Sequence, residues 1–507
     1  MELAAVAVVV TVAVLSAAPA LASERGADIL AAARNGDHQA LRTLVKTRAD
    51  ANAAEADGTT ALHLAIRAGD AASVATLIRA GANVNAANRY EVTPLALAAV
   101  NGNAAIVSAL LDAGADPNVP RGDGETVLMT AARTGRTDAV KALLTRGARV
   151  DTAEKTLGQT PLMWAALENH AEVVTVLVEA GADVNKRSAA LSFPPFKWGV
   201  NGMVSTVLPK GSWTTLMYAA RENSVEAARA LVAAGADVSA TDPDGSTPLL
   251  IALANAHYDM AVALLDMKAD PNQADTTGTT PLYSAVDMHT LAPMVGRPSP
   301  KLFGQVEATA VVTKLLGLGA NPNAALKRPS LGRHHDLSGD ASMGEGTTPL
   351  MRAARTGDVE LMRILLGHAA NLHLRRRDLG TALILAATGR GGGLPTGPST
   401  IPGASAVDAV KMLIEAGADP DAFNLNGQTA LHVASQRGAD PVVQELIAAG
   451  ATLDLRDKQK RTPIDLALGV GLKGRTPDEE TPVRVSTAKL LREAMEQRGI
   501  AIPVSAR

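Results

Sequence analysis

The 507-residue sequence has no cysteine. That excludes disulfides, thiol chemistry and a lipoprotein anchor, and it is compatible with an oxidising compartment. Aromatic residues are scarce, at 2% of the chain, so a large core must come from small aliphatic side chains in close packing. Neither sign of charge dominates: 48 Lys and Arg against 51 Asp and Glu leave a formal net charge of −3. No basic excess points to nucleic acid, and no basic run points to an anionic membrane. RNA-binding motifs, zinc-finger spacings and coiled-coil heptads are absent. So are the G-x-S-x-G, H-E-x-x-H, P-loop and dinucleotide-binding fingerprints. Gly391-Gly392-Gly393 has neither the lysine nor the preceding strand that a phosphate loop needs.

What the chain does have is a repeating unit. Thr93 to Asn118 reads TPLALAAVNGNAAIVSALLDAGADPN. Thr93 is placed to cap a helix and Pro94 occupies the first helical position, where its missing N–H costs nothing. Gly102 ends this helix and Gly114 ends a second, from Ala104 to Asp112. Equivalent threonines stand at 60, 93, 126, 160, 214, 247, 280, 348, 381, 429 and 462. Their separations are 33, 33, 34, 54, 33, 33, 68, 33, 48 and 33, so the long steps read as insertions into a regular array. Adding a degenerate first unit beginning at Ala27 gives about twelve repeats. Paired alanines such as Ala98-Ala99 and Ala131-Ala132 let neighbouring inner helices approach closely. Lys268 and Ala369 replace the glycine that ends other outer helices, so those two turns should be strained or reshaped.

This period, with its T-P-L start, resembles the ankyrin repeat. The resemblance covers nearly everything from Ala27 to Arg498. It implies an all-α solenoid of stacked helix–turn–helix units, each followed by a finger-like hairpin. No unit can bury its apolar face alone, so stability comes from neighbours. The expected organisation is a signal peptide at 1–22, the array at 23–500 and a short tail at 501–507. Leu3 to Leu15 is apolar or small, too short for a membrane span of roughly 17–25 residues, and Ala20-Leu21-Ala22 fits a small-x-small cleavage site. The flanking residue is Glu2, without the usual lysine or arginine; the competing reading is an apolar helix on the first repeat. The expected location is a bacterial periplasm or the exterior, with no stable membrane insertion after cleavage.

Insertions are expected near 188–211, 292–305, 325–346, 389–405 and 469–482. The first holds Phe193, Phe196, Trp198 and Trp213, four of the eleven aromatic residues. These rings are either partner anchors or a satellite core on the fingers. The third holds His334, His335, Asp336, Asp340 and Glu345, the only cluster with metal-ligand chemistry. Its spacing matches no known motif, and a polar loop bonding neighbouring fingers accounts for it equally. His63 and His432 fall at the fourth position of the T-P-L-H signature and read as structural. Asp57, Asp123, Asp244 and Asp275 precede turn glycines with the period of the array, which marks turn-formers rather than catalytic acids.

The resemblance implies a non-enzymatic, cofactor-free and monomeric scaffold. It would hold an unidentified protein partner, and no nucleic acid, through fingers and inner helices. Positional candidates for contact are Asn88, Arg89, Tyr90, Arg121, Asp123, Lys155 and Asp242, with Phe193, Phe196 and Trp198 of the first insertion. Two alternatives follow from the same residues: a metal-dependent enzyme centred on His334 and His335, and a secreted effector that engages host proteins.

Overall fold

A computed structural model describes residues 26–191, 196–198, 204–206, 210–290, 306–328, 343–388, 405–471 and 483–503. Residues 1–22, the insertion at 292–305 and most of the other four lie outside this set. So do Phe193, His334, His335, Asp336 and Asp340.

Among the described residues twelve helix pairs follow in order, beginning with 26–35 and His38–Lys46. Repeats 2 to 6 have inner helices Ala61–Arg67, Pro94–Asn101, Val127–Arg133, Pro161–Leu167 and Thr215–Glu222. In repeats 7 to 12 these are Pro248–Ala254, Pro281–Thr290, Pro349–Thr356, Ala382–Ala387, Ala430–Arg437 and Pro463–Ala467. The described residues divide into two compact units. One comprises 26–191 and 211–237, repeats 1 to 6; the other takes Lys210, a short strand pair and everything from Val238, repeats 7 to 12. The strand pair joins Phe196–Trp198 antiparallel to Val204–Thr206, with Lys197 opposite Ser205.

Most caps work as the sequence requires, an exception being Thr214, whose buried Oγ1 makes no cap bond and has no partner among the described residues. Thr93 Oγ1 accepts from Ala96 N at 3.2 Å, Thr247 Oγ1 from Leu250 N at 3.2 Å, and Thr348 Oγ1 from Met351 N at 3.3 Å. Outer helices carry their own caps, which the sequence reading passed over: Asp70 and Asp358 accept from the N–H groups of Ser73 and Leu361. Lys268 (φ 71°) and Ala369 (φ 62°) keep the left-handed turn that glycine makes elsewhere. The stack imposes the conformation, and each non-glycine residue bears a strain on the order of 1 kcal/mol.

Alanine pairs and leucines make the core. Ala98, Ala99, Ala131, Ala132, Ala165 and Ala166 are fully buried, as are Leu143, Leu177 and Leu231. Inner helix packs on inner helix, as Val127–Arg133 does on Pro161–Leu167. Each leucine removed from water contributes about 1.5–3 kcal/mol.

A second device locks repeat to repeat after several of the outer helices. Asn118 Nδ2 donates to Gly147 O at 2.9 Å while its Oδ1 accepts from Arg149 N at 2.9 Å. Asn85 does the same to Gly114 O and Asp116 N. Asn185 reaches Gly235 O and Asp237 N across the first insertion. Asn272 and Asn323 reach Gly319 and Ala369 across the next two long intervals. An amide serves both halves of the site, because it carries one donor group and one acceptor. Asp151 and Asp421 occupy equivalent places and use the acceptor half, to Asp183 N and Thr452 N. The same clamp therefore joins successive repeats whatever the number of residues between them.

Candidate protein-binding surface

The fingers are built by two sets of hydrogen bonds. Within a finger, a carboxylate or amide accepts from the backbone of its own turn. Asp57 Oδ1 takes Thr59 N, Asp123 Oδ1 takes Glu125 N, and Asp275 Oδ1 takes Thr277 and Thr279 N. The bond from Thr59 N–H holds the Asp57 carboxyl below its ordinary range. These three are turn-formers, as their recurrence suggests. The fourth, Asp244, is not: Asp242 Oδ1 accepts from Asp244 N and Ser246 N, and Asp244 pairs with Lys210 at 2.5 Å. The acceptor can sit at either of two positions before the cap threonine, and in this finger the earlier one wins.

Between fingers runs a backbone ladder. Arg89 N donates to Asp57 O, Lys155 N to Asp123 O, Lys327 N to Thr277 O, Arg377 N to Glu345 O and Lys458 N to Asn426 O. Ala189 N, Thr276 N and Leu425 N make the equivalent bond from uncharged residues, whereas these five donors are basic and exposed. Their amides are spent on the ladder and their side chains stand outward. Close approach sets a limit at Gly346, where φ is +87° and an added Cβ would lie 2.8 Å from Arg376 Cα.

The positional candidates separate on this basis. Arg89 and Tyr90 are outward: Arg89 Nη2 donates to Tyr90 Oη at 3.2 Å and lies over its ring, and Tyr90 is 59% exposed. Lys155 is exposed, with Nζ 3.1 Å from Gly122 O. The Asn88 amide oxygen serves its own hairpin through Tyr90 N and Val92 N, as Asp242 and Asp123 serve theirs. Arg121 pairs with the buried Glu125 at 3.0 Å. Phe196 and Trp198 are placed only as strand positions, paired with Thr206 and Val204.

Sequence reasoning missed the inner-helix side chains. In the first unit the Arg133 guanidinium lies 5.0 Å from the centroid of the half-buried Trp164 ring, and Arg133 Nη2 is 3.9 Å from Glu125 Oε1. Trp164 Nε1 finds no acceptor among the described residues. Trp213, buried at 5% exposure, meets Tyr218 edge-on at 5.4 Å, and Arg221 caps both rings. Trp213 therefore belongs to the packing. Trp164 and Tyr218 share the fourth place after the cap threonine, a signal that a position-by-position reading of the repeats would have exposed.

In the second unit the same face carries ion pairs. Arg352, with 8% of its side chain exposed, pairs with Asp287 at 2.5 Å, and His289 Nδ1 lies 2.6 Å from Asp358 Oδ2. The bond to Asp358 pushes the His289 pKa up against the opposing effect of burial.

His63 and His432 are structural. Thr60 N donates to His63 Nδ1 at 3.2 Å, which makes Nδ1 an acceptor, so Nε2–H donates to Val92 O at 2.9 Å. His432 repeats this with Thr429 and Arg461 O. Burial pushes both imidazoles below their ordinary value, against the bonds to those carbonyls.

Comparison with known proteins agrees with this architecture. Family models described as ankyrin repeats match residues 29–121, 116–188, 202–292 and 413–467, and a single ankyrin repeat matches 345–377. Ankyrin repeat and SOCS box protein 11 of Mus musculus is 33% identical over 124 residues, 24% of this chain and 32% of that protein. Protein fem-1 homolog A of Rattus norvegicus is 38% identical over 60 residues, 12% of this chain and 9% of that protein. The chain thus spans about a third or less of the length of these curated relatives. The solved human ASB11 ankyrin repeat domain is 26% identical, with 48% of this chain and 98% of that one covered and a TM-score of 0.39. The repeats, their caps and the family-model matches make this chain a member of the ankyrin-repeat family.

Proposed function

We propose that this chain is a non-enzymatic scaffold that holds a protein partner on its fingers and inner-helix face. The observation that carries the reading is the Arg133–Trp164 stack on the inner helices of the first unit. Tryptophan and arginine are the side chains over-represented among interface hot spots. The indole N–H has no acceptor among the described residues, and a partner that displaces Arg133 and offers a carbonyl supplies one. The fingers add a surface whose backbone is already hydrogen-bonded, so binding costs little ordering.

The test is capture of partners from extract by the full chain and by an Arg133→Ala/Trp164→Ala variant, with circular dichroism as the folding control. A partner held by the parent and lost by the folded variant supports the reading. A partner held equally by both removes the inner face from it, and no partner at all removes the scaffold. Export is part of the proposal, supported by the Leu3–Leu15 run and Ala20-Leu21-Ala22. Mass spectrometry of the protein from a bacterial periplasm should give Ser23 as the first residue; retention of Met1 in the cytoplasm would contradict it.

A further inference from the structure

We propose that three consecutive fingers of the second unit, 375–380, 423–428 and 456–461, form a docking strip for an acidic polypeptide segment that carries apolar side chains. The inference rests on the scaffold reading and assigns it a partner chemistry. In these windows, the six residues before each cap threonine, there are seven basic residues and two acidic ones. Windows 54–59, 241–246 and 274–279 contain no basic residue.

The two acids are already neutralised. Asp457 is fully buried, and burial works against its ionisation. The Arg461 guanidinium, at 2.7 Å, and the backbone N–H groups nevertheless hold its carboxyl below the ordinary range. Asp378 pairs with Arg376 at 3.1 Å and accepts from Gly380 N. Lys458 and Lys460 are exposed and have no carboxylate partner among the described residues. Arg377 meets Glu345 at 2.9 Å in an exposed pair that a competing carboxylate can replace at small cost.

Apolar side chains stand between the cations. Phe423 is 51% exposed and lies under the Arg375 guanidinium, Leu425 is 48% exposed, and Leu455 is 36% exposed. The ladder bonds from Leu425 N to Asp378 O and from Lys458 N to Asn426 O hold the three fingers side by side. A phosphodiester chain would neutralise the cations and leave the two leucines uncovered. An acidic segment with intervening leucines satisfies both sets of groups at once, which is complementarity of charge and of apolar area together.

The probe is a short fluorescein-labelled peptide of glutamate interspersed with leucine, titrated into the full chain and read by anisotropy. The parent should bind it, more weakly as ionic strength rises, and should reject the same peptide with lysine for glutamate. Lys458→Glu with Lys460→Glu should weaken binding roughly tenfold, and Phe423→Ala about fivefold. Lys46→Glu, on the outer helix His38–Lys46 of the first unit, should leave it unchanged. Lys458→Gln with Lys460→Gln should give an intermediate loss and preserves the test if the reversal disturbs folding. Failure of the acidic peptide to bind, indifference to these variants, or tighter binding of oligothymidylate or phosphatidylserine vesicles would overturn the proposal. If the peptide fails while partner capture still depends on Arg133 and Trp164, the scaffold stands and only this strip falls.

Discussion

The fingers of the first unit and the last three fingers of the second share one backbone and differ in what they show. Windows 87–92, 120–125 and 154–159 hold three basic and four acidic residues. Windows 375–380, 423–428 and 456–461 hold seven and two. The ladder bond from Lys155 N to Asp123 O is 2.9 Å, and that from Lys458 N to Asn426 O is 2.9 Å. The scaffold satisfies its backbone identically in both places, so outward side chains can change without cost to the fold. The inner faces differ too: Arg133 stacks on Trp164 in one unit, and Arg352 pairs with Asp287 in the other. An aromatic face tolerates loss of its cation; a buried ion pair does not.

That contrast is best broken at Arg352. Arg352→Ala leaves Asp287 in a poorly solvated site without its guanidinium, and should destabilise the second unit by about 3 kcal/mol. Repeat arrays lose cooperativity when one segment weakens. Denaturant unfolding followed by circular dichroism should therefore split into two transitions, whereas Arg133→Ala should keep the parent's profile. An unsplit, unshifted curve for Arg352→Ala would mean the pair contributes nothing.

A smaller effect tests what both units have in common. Asn118→Asp preserves shape and the acceptor for Arg149 N but loses the donor to Gly147 O. It should cost about 1 kcal/mol, read as a lowered denaturant midpoint; an unchanged midpoint would mean the donor half contributes nothing. The natural Asp421 already accepts from both the N–H and the hydroxyl of Thr452, so Asp421→Asn should bring no comparable gain.

The smallest effect is a difference in pH dependence. His63 has a lowered folded pKa, so its contribution is present above 6.5, its ordinary value, and is lost as pH falls below it. His289 has a raised folded pKa, so its contribution is full below 6.5 and is lost as pH rises through the folded value. The first unit should weaken on acidification. In the second, His432 and His289 pull in opposite directions. Unfolding midpoints of His63→Gln and His289→Gln across the histidine range should show pH slopes shifted in opposite senses. Slopes shifted the same way would contradict the assignment.

Repeat boundaries were legible because caps are local. Thr93, Pro94 and Gly102 lie within ten residues of one another and act on the same helix. His63 was legible for the same reason, since Thr60 N is three residues away. The Asp242–Asp244 exchange was not, because either residue can close that turn and only the folded hairpin selects one. Trp164 was missed because its environment comes from Arg133 on the preceding repeat.

The sequence by itself determined the repeat, its length, the helix ends and the alanine-lined core, all of which depend on contacts within one turn or one unit. Only the tertiary structure decided which side chains are spent and which are offered. Asn185 finds Gly235, Arg352 finds Asp287, and Arg375 finds Phe423 across 48 to 65 residues. Such pairings depend on stacking, which brings equivalent positions of successive repeats side by side whatever length of chain lies between them.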